Sequence, residues 1–265
     1  MKLYIFLLSL FFTNAYFYPH ISLLKNKLYS KKKTSCQNEN IILPKSSGQE
    51  EYINDLDNNK IKILLGIGPA GTGKTFLACQ YAIKMLNLNL IDKLVLTRPL
   101  VSADEELGFL PGNLIKKMDP WTKPLYDALK ESVSGKEISN YFKKEVIEIC
   151  PLAYMRGRTF KNSLIIADEM QNSTPNQMYM LTSRLGYNSK LIITGDLLQS
   201  DLKEQNGLID ITSRINHYTS VIYNNNEKEF SNNMNIKICL LRKNDIQRSA
   251  IVSNIINLYD STNRK

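Results

Sequence analysis

The chain has 265 residues, 43% of them hydrophobic and 22% charged, enough to bury one large α/β core and too few for two full domains of ordinary size. Its formal net charge of +9 invites a polyanion partner, yet Met1 to Asn38 holds six lysines and no acid, and the remaining 28 basic residues nearly match the 25 acidic ones. Overall charge therefore does not argue for nucleic acid, and any basic patch has to be local. The four cysteines (Cys36, Cys79, Cys150, Cys239) have no CxxC pair and no metal-like spacing to the two histidines, so they read as buried free thiols.

At the front, Lys2, the apolar run Leu3 to Phe12 and the small residues around Ala15 follow the order of a secretory signal, predicted over residues 1–18. Extended to Tyr18, the run is about 16 residues, short of the ~20 that span a bilayer, so a cleaved signal is expected rather than an anchor. Residues 19–40 are rich in Lys, Ser and Asn, as organelle transit peptides are. A signal followed by such a segment resembles the bipartite leader that sends apicomplexan proteins to their plastid, the apicoplast. A plastid address is expected on that resemblance; a basic tail on a cytoplasmic protein is the alternative.

The folded domain is placed over residues 41–262. Lys60 to Ile67 is an apolar, β-branched run ending in glycine and reads as a buried strand; Gly73 to Leu86 has helical spacing. Lys93 to Thr97 is a second buried strand, stopped by Arg98-Pro99. Leu164 to Ala167 and Leu191 to Thr194 are two more, Ile236 to Leu241 a last one, and Ile246 to Tyr259 an amphipathic closing helix. The polar stretch Asn224 to Asn235 reads as a mobile loop. Strands alternating with helices imply an α/β fold, a parallel sheet with helices on both faces.

Three motifs carry chemistry. GPAGTGKT (Gly68, Pro69, Ala70, Gly71, Thr72, Gly73, Lys74, Thr75) lies between the first strand and first helix and matches G-x-x-x-x-G-K-S/T, the Walker A loop. Glycines let the backbone turn successive N–H groups inward around a phosphate chain, and the helix start adds its positive end. Lys74 would reach the β- and γ-phosphates, and the Thr75 hydroxyl would ligate Mg2+. LIIADE (Leu164 to Glu169) brings carboxylates to the carboxyl edge of the sheet as a Walker B segment. There Asp168 would hold the metal, and Glu169 would orient or deprotonate the attacking water. LIITGDLLQ (Leu191 to Gln199) is a strand running into Thr-Gly-Asp and then Gln. It resembles motif III of superfamily 1 helicases, which makes Gln199 a candidate γ-phosphate sensor.

Beyond these, PKSSGQEEY (from Pro44), LTRPLV (from Leu96), GFLPGNL (from Gly108), PLAYMRGRTF (from Pro151), ADEMQNSTPNQM (from Ala167), SRLG (from Ser183) and TGDLLQSDL (from Thr194) occur in this order. The series resembles the PhoH family of phosphate-starvation-inducible ATPases over about Ile41 to Tyr259. The resemblance implies a RecA-like P-loop NTPase core related to half of a superfamily 1 helicase, with ATP and Mg2+ as cofactors. It makes Gln49 the family's adenine-reading glutamine, since an amide offers one donor and one acceptor. It also implies a homo-oligomeric ring in which a neighbouring subunit supplies an arginine to the γ-phosphate. Arg156, Arg158, Arg184 and Arg248 are the candidates. Ser249 stands where the family's Asp-Val-Val-Arg-His stretch has His, so no role needing an imidazole carries over.

Arg98 sits where helicases touch a strand's phosphates, and Arg156, Arg158 and Lys161 lie beside Tyr154 and Phe160, a pattern that suits RNA or single-stranded DNA. Coupling of ATP hydrolysis to RNA remodelling, at the ribosome for example, is the leading expectation. An ATP-gated oligomeric assembly module with little turnover is the alternative, and a GTPase is disfavoured because no Asn-Lys-x-Asp box is found. A reporter carrying residues 1–60 is expected to collect in the plastid; a diffuse cytosolic signal under the microscope refutes that address.

Overall fold

A computed structural model describes residues 42–99, 123–200 and 206–247. The leader, the Gly108–Leu114 stretch, Arg248 and nearly all of the predicted closing helix lie outside the described residues.

Six strands form one all-parallel sheet: β1 (Ile63–Ile67), β2 (Lys93–Thr97), β3 (Ile147–Ile149), β4 (Ser163–Ala167), β5 (Lys190–Gly195) and β6 (Ile236–Leu240). Their spatial order is β3-β2-β4-β5-β1-β6. The four central strands read as unbroken apolar runs because both faces of a parallel sheet are covered. One face carries Leu64, Leu94, Leu96, Leu164, Ile166 and Ile192; the other carries Leu65, Ile67, Val95, Ile165, Leu191 and Ile193. Each such side chain contributes roughly 1.5–3 kcal/mol of burial.

The first face is covered by α1 (Ser47–Asp57), α2 (Lys74–Asn87), a helical stretch over residues 123–130 and α3 (Gly135–Lys143). The second is covered by α4 (Pro175–Thr182), α5 (Gly207–Tyr223) and α6 (Glu227–Met234). The strand bearing Asp168 is separated from the P-loop strand by β5, so the sheet is a RecA-like core. Three of the four cysteines, Cys79, Cys150 and Cys239, are buried free thiols as expected. Among the described residues no helix is long and apolar enough to cross a membrane.

Two expectations need correction. The stretch Asn224 to Asn235, read as a loop from its polar composition, contains α6. The Asn226 side chain accepts from Glu229 N, Glu227 and Glu229 sit in the first turn, and Asn224 and Asn235 adopt left-handed conformations that close helices. Three of its six asparagines, Asn224, Asn226 and Asn235, are caps. Phe230 anchors the helix, 5% exposed and edge-on to Tyr223 at 5.8 Å. The closing helix does not start at Ile246 either: Lys243–Asp245 is a single 3₁₀ turn and Ile246 is extended. Short helices such as α1 and α4 carry little sequence signal, because each buries only two or three side chains and its apolar spacing is sparse.

Phe230→Ala is expected to lower the unfolding free energy by about 3 kcal/mol, measured by denaturant titration. A loss below about 0.5 kcal/mol, typical of an exposed loop side chain, would contradict this packing.

Candidate functional site

Because every strand runs the same way, the loops after β1, β2, β4 and β5 all emerge at one sheet edge, where such folds place ligands. A cleft there is lined by Ala70, Gly71, Gly73, Lys74, Thr75 and Phe76 from the P-loop and α2. Asp168 and Glu169 after β4, and Gly195, Asp196 and Gln199 at the end of β5, complete it. Fold and sequence thus bring the Walker A residues, both predicted carboxylates and the predicted sensor glutamine to one place.

The loop's shape needs glycine at two points. At Gly68 a Cβ would collide with the Leu241 carbonyl, since the strand beside β1 closes on the loop there. Gly73, at φ +86, caps α2 in the left-handed region that other residues enter only at a cost. Gly68 N donates to Gly195 O at 3.1 Å, tying the loop's start to β5. Lys74, 8% exposed, donates to the carbonyls of Gly68 (2.6 Å) and Pro69 (2.8 Å). Thr72 is turned inward, its hydroxyl donating to Pro69 O.

Asp168 is buried, and one of its oxygens, Oδ1, accepts from Thr75 Oγ1 and from Thr194 Oγ1, each at 2.6 Å. A buried carboxylate is costly without such donors. The set of a hydroxyl and a carboxylate, with no sulfur or imidazole, suits a hard cation such as Mg2+. Glu169 takes a left-handed conformation (φ 53), which swings its side chain out of line with the strand. Arg98 Nη2 approaches its Oε1 at 3.5 Å, and Gln171 Nε2 donates to its Oε2.

Gln49 is placed behind the loop rather than among the cleft-lining residues. Its Oε1 accepts from Lys45 N and its Nε2 donates to Thr72 O at 3.1 Å. Asp245 joins this rear wall: its carboxylate accepts from Gly48 N and Arg242 N, while Gln247 N donates to Gly71 O. Burial works against the charge on Asp245, but these backbone bonds and one from the Ser46 side chain outweigh it and hold the carboxyl below its ordinary value. The P-loop is therefore gripped from behind by α1 and the turn after β6.

The arginines separate. Arg158 forms a two-pronged pair with Glu148 (2.5 and 2.9 Å) and lies over the Phe160 ring at 4.6 Å. Its hydrogen bonds, against some burial, pull the Glu148 carboxyl down to about 2. Phe160 is buried, so it is core and not a stacking platform; Tyr154 is exposed. Arg184 folds over the end of α4, donating to Met180 O, Ser183 Oγ and Arg158 O. Arg156 is exposed. Arg156, Arg158 and Arg184 do not line this chain's cleft. Sequence reasoning missed Thr194, Gln171, Asp196 and Phe76; the Thr-Gly-Asp run hinted at two of them, while Gln171 and Phe76 had no signal of their own.

The family model described as PhoH-like protein matches residues 41–260. A PhoH-like protein of Synechocystis sp. is 41% identical over 222 residues, covering 83% of this chain and 62% of that protein. One from Bacillus subtilis is 40% identical over 238 residues, covering 89% of this chain and 69% of its own length. Among solved structures, the Pif1 helicase from Candida albicans matches with a TM-score of 0.39 at 16% identity, over 83% of this chain and 44% of that one. The chain thus spans about three fifths of the Synechocystis relative it matches.

Glu148→Gln is expected to be less stable than the unaltered chain at neutral pH. Because the folded-state pKa is depressed, that contribution is present above about 4.5 and lost as pH falls through about 2. The stability gap between the two proteins, followed by denaturant unfolding, should therefore narrow over that window; a constant gap would count against the pairing.

Proposed function

The chain belongs to the PhoH-like family, and from that premise we propose that it is a Mg2+-dependent ATPase of the PhoH type which couples hydrolysis to binding or remodelling RNA or single-stranded DNA. The observation that carries this reading is the meeting of the Thr75 and Thr194 hydroxyls on one oxygen of Asp168, beside the P-loop. That arrangement joins the start of α2, the end of β5 and the loop after β4 around a hard-cation donor set beside a phosphate-binding nest.

In this reading the P-loop amides and the start of α2 hold the triphosphate, and Lys74 exchanges its carbonyl partners for the β- and γ-phosphate oxygens. When bound, Mg2+ would neutralise charge on the phosphates, with Thr75 and Asp168 as its protein holders. Glu169 accepts a proton from, or aligns, the water that attacks the γ-phosphorus, a role worth about 10²–10⁴ in rate. Gln199, exposed at the cleft rim, reads the γ-phosphate. Gln49 reads adenine after trading its loop contact for the base. Arg156, Arg184 or Arg248 is offered to a neighbouring subunit's cleft in a ring, since the first two do not line their own.

The nucleic-acid part rests on Arg98. It pairs with Glu169 while remaining partly exposed, so a strand phosphate that engages Arg98 would compete directly with the carboxylate that handles water. Binding and hydrolysis would then share one side chain. A plastid address, read from the leader, and a ribosomal substrate complete the proposal.

Phosphate release by the purified chain, with and without single-stranded RNA, tests it. Turnover is expected to rise with RNA. Lys74→Ala should weaken Mg-ATP binding at least about tenfold, and Glu169→Gln should bind nucleotide yet turn over about a hundredfold more slowly. Equal turnover in all three proteins rejects the catalytic roles. Tight binding without turnover in the unaltered chain points to the ATP-gated module instead, and indifference to RNA removes the coupling.

A further inference from the structure

Glu169 does not stand alone at the cleft. Two residues on, in the 3₁₀ turn Met170–Asn172, Gln171 is 3% exposed and wedged between the loops after β4 and β5. Its Nε2 donates to Glu169 Oε2 at 2.5 Å, and its Oε1 accepts from Asp196 N at 3.1 Å. Its backbone carbonyl accepts from Ser200 Oγ at 3.0 Å. The side chain fills the space that a Cβ at Gly195 would occupy, with Oε1 only 2.7 Å from that point.

The chemistry of the two neighbours leaves little choice of residue. Asp196 N is a donor and needs an acceptor; the Glu169 carboxylate is an acceptor and needs a donor. A primary amide of this length answers both at once, and the backbone donor fixes which end faces which. The bond to Glu169 is assisted by the carboxylate's charge and aligns one of its two oxygens. Arg98 Nη2 lies 3.5 Å from the other oxygen. The same residue is attached to the β5 loop that carries Gln199, its amide through Asp196 N and its backbone carbonyl through Ser200 Oγ.

We propose that Gln171 is a positioning residue for the hydrolytic step: it holds the Glu169 carboxylate in a fixed orientation and links it mechanically to the loop bearing the γ-phosphate sensor. This rests on the ATPase reading above and adds to it a residue that touches neither nucleotide nor metal. A shift of the β5 loop on γ-phosphate contact is transmitted through Asp196 N to the Gln171 amide and so to the carboxylate that handles water.

Two variants of the full chain test it. Gln171→Leu keeps roughly the same volume and loses both bonds. It is expected to lower kcat at least about tenfold, with the KM for ATP and the affinity for a non-hydrolysable ATP analogue within about threefold of the unaltered chain. Gln171→Glu keeps the length and the acceptor for Asp196 N but sets a second carboxylate, in place of the donor, against Glu169. It is expected to lower kcat at least as far, with nucleotide affinity again within about threefold. If Gln171→Leu fails to fold, the split between kcat and KM in Gln171→Glu decides. A merely structural role predicts parallel losses of thermal stability and nucleotide affinity, and that result overturns the proposal. Unaltered kinetics in both variants does the same. Absence of turnover in the unaltered chain would instead defeat the ATPase reading, and this inference with it.

Discussion

The structure turns on one carboxylate oxygen. Asp168 Oδ1, buried at the carboxyl edge of the sheet, takes hydroxyl hydrogen bonds from α2 and from β5 at once. An isolated carboxylate at that depth would cost several kcal/mol, so the two hydroxyls are a condition of its being there. They also fix distances. β5 lies between the P-loop strand and the Asp168 strand, and Thr194 at its end spans that gap. The P-loop, the acid pair and the loop after β5 are held at one spacing by these two contacts.

Other features of the edge serve the same geometry. The P-loop begins on β5 through Gly68 N and is backed by Gln49 on Thr72 O and Gln247 N on Gly71 O. Asp245 accepts from Gly48 N, 197 residues away in sequence, and so joins α1 to the turn after β6 and makes these two supports one unit. Backbone amides bind phosphate well only when they already point inward, because ordering them on binding costs conformational entropy. The rear wall supplies that order in advance. On the front, Glu169 leaves its strand in a left-handed turn and is met by Gln171 and Arg98. One partner leads to the β5 loop and the other toward solvent.

Arg158 shows how a basic run can mislead. Beside aromatics, MRGR looks like a surface for nucleic acid, yet one arginine is engaged with Glu148 and packed on a buried Phe160. An arginine paired on both prongs and stacked on a ring has little left for a phosphate. Arg156, two residues away and exposed, keeps that capacity.

From the residues alone came the central strands, the P-loop and the pair Asp168-Glu169, because buried β-branched runs and a glycine-framed phosphate loop are local signals that need no partner to be read. Strand boundaries agreed to within a few residues; Lys93–Thr97 was matched end to end. The Asn224–Asn235 stretch was misread since composition does not tell a capping asparagine from a disordered one; only Phe230 docking beside Tyr223 does. The partners of Thr194, Gln171 and Asp245 are set by tertiary structure, because each is brought from another part of the chain: Asp168 for the first, Asp196 N for the second, Gly48 N for the third. A hydrogen bond across a sheet edge leaves no trace in spacing, and so the sequence determined which chemistry this chain carries while the fold decided which side chains aim it.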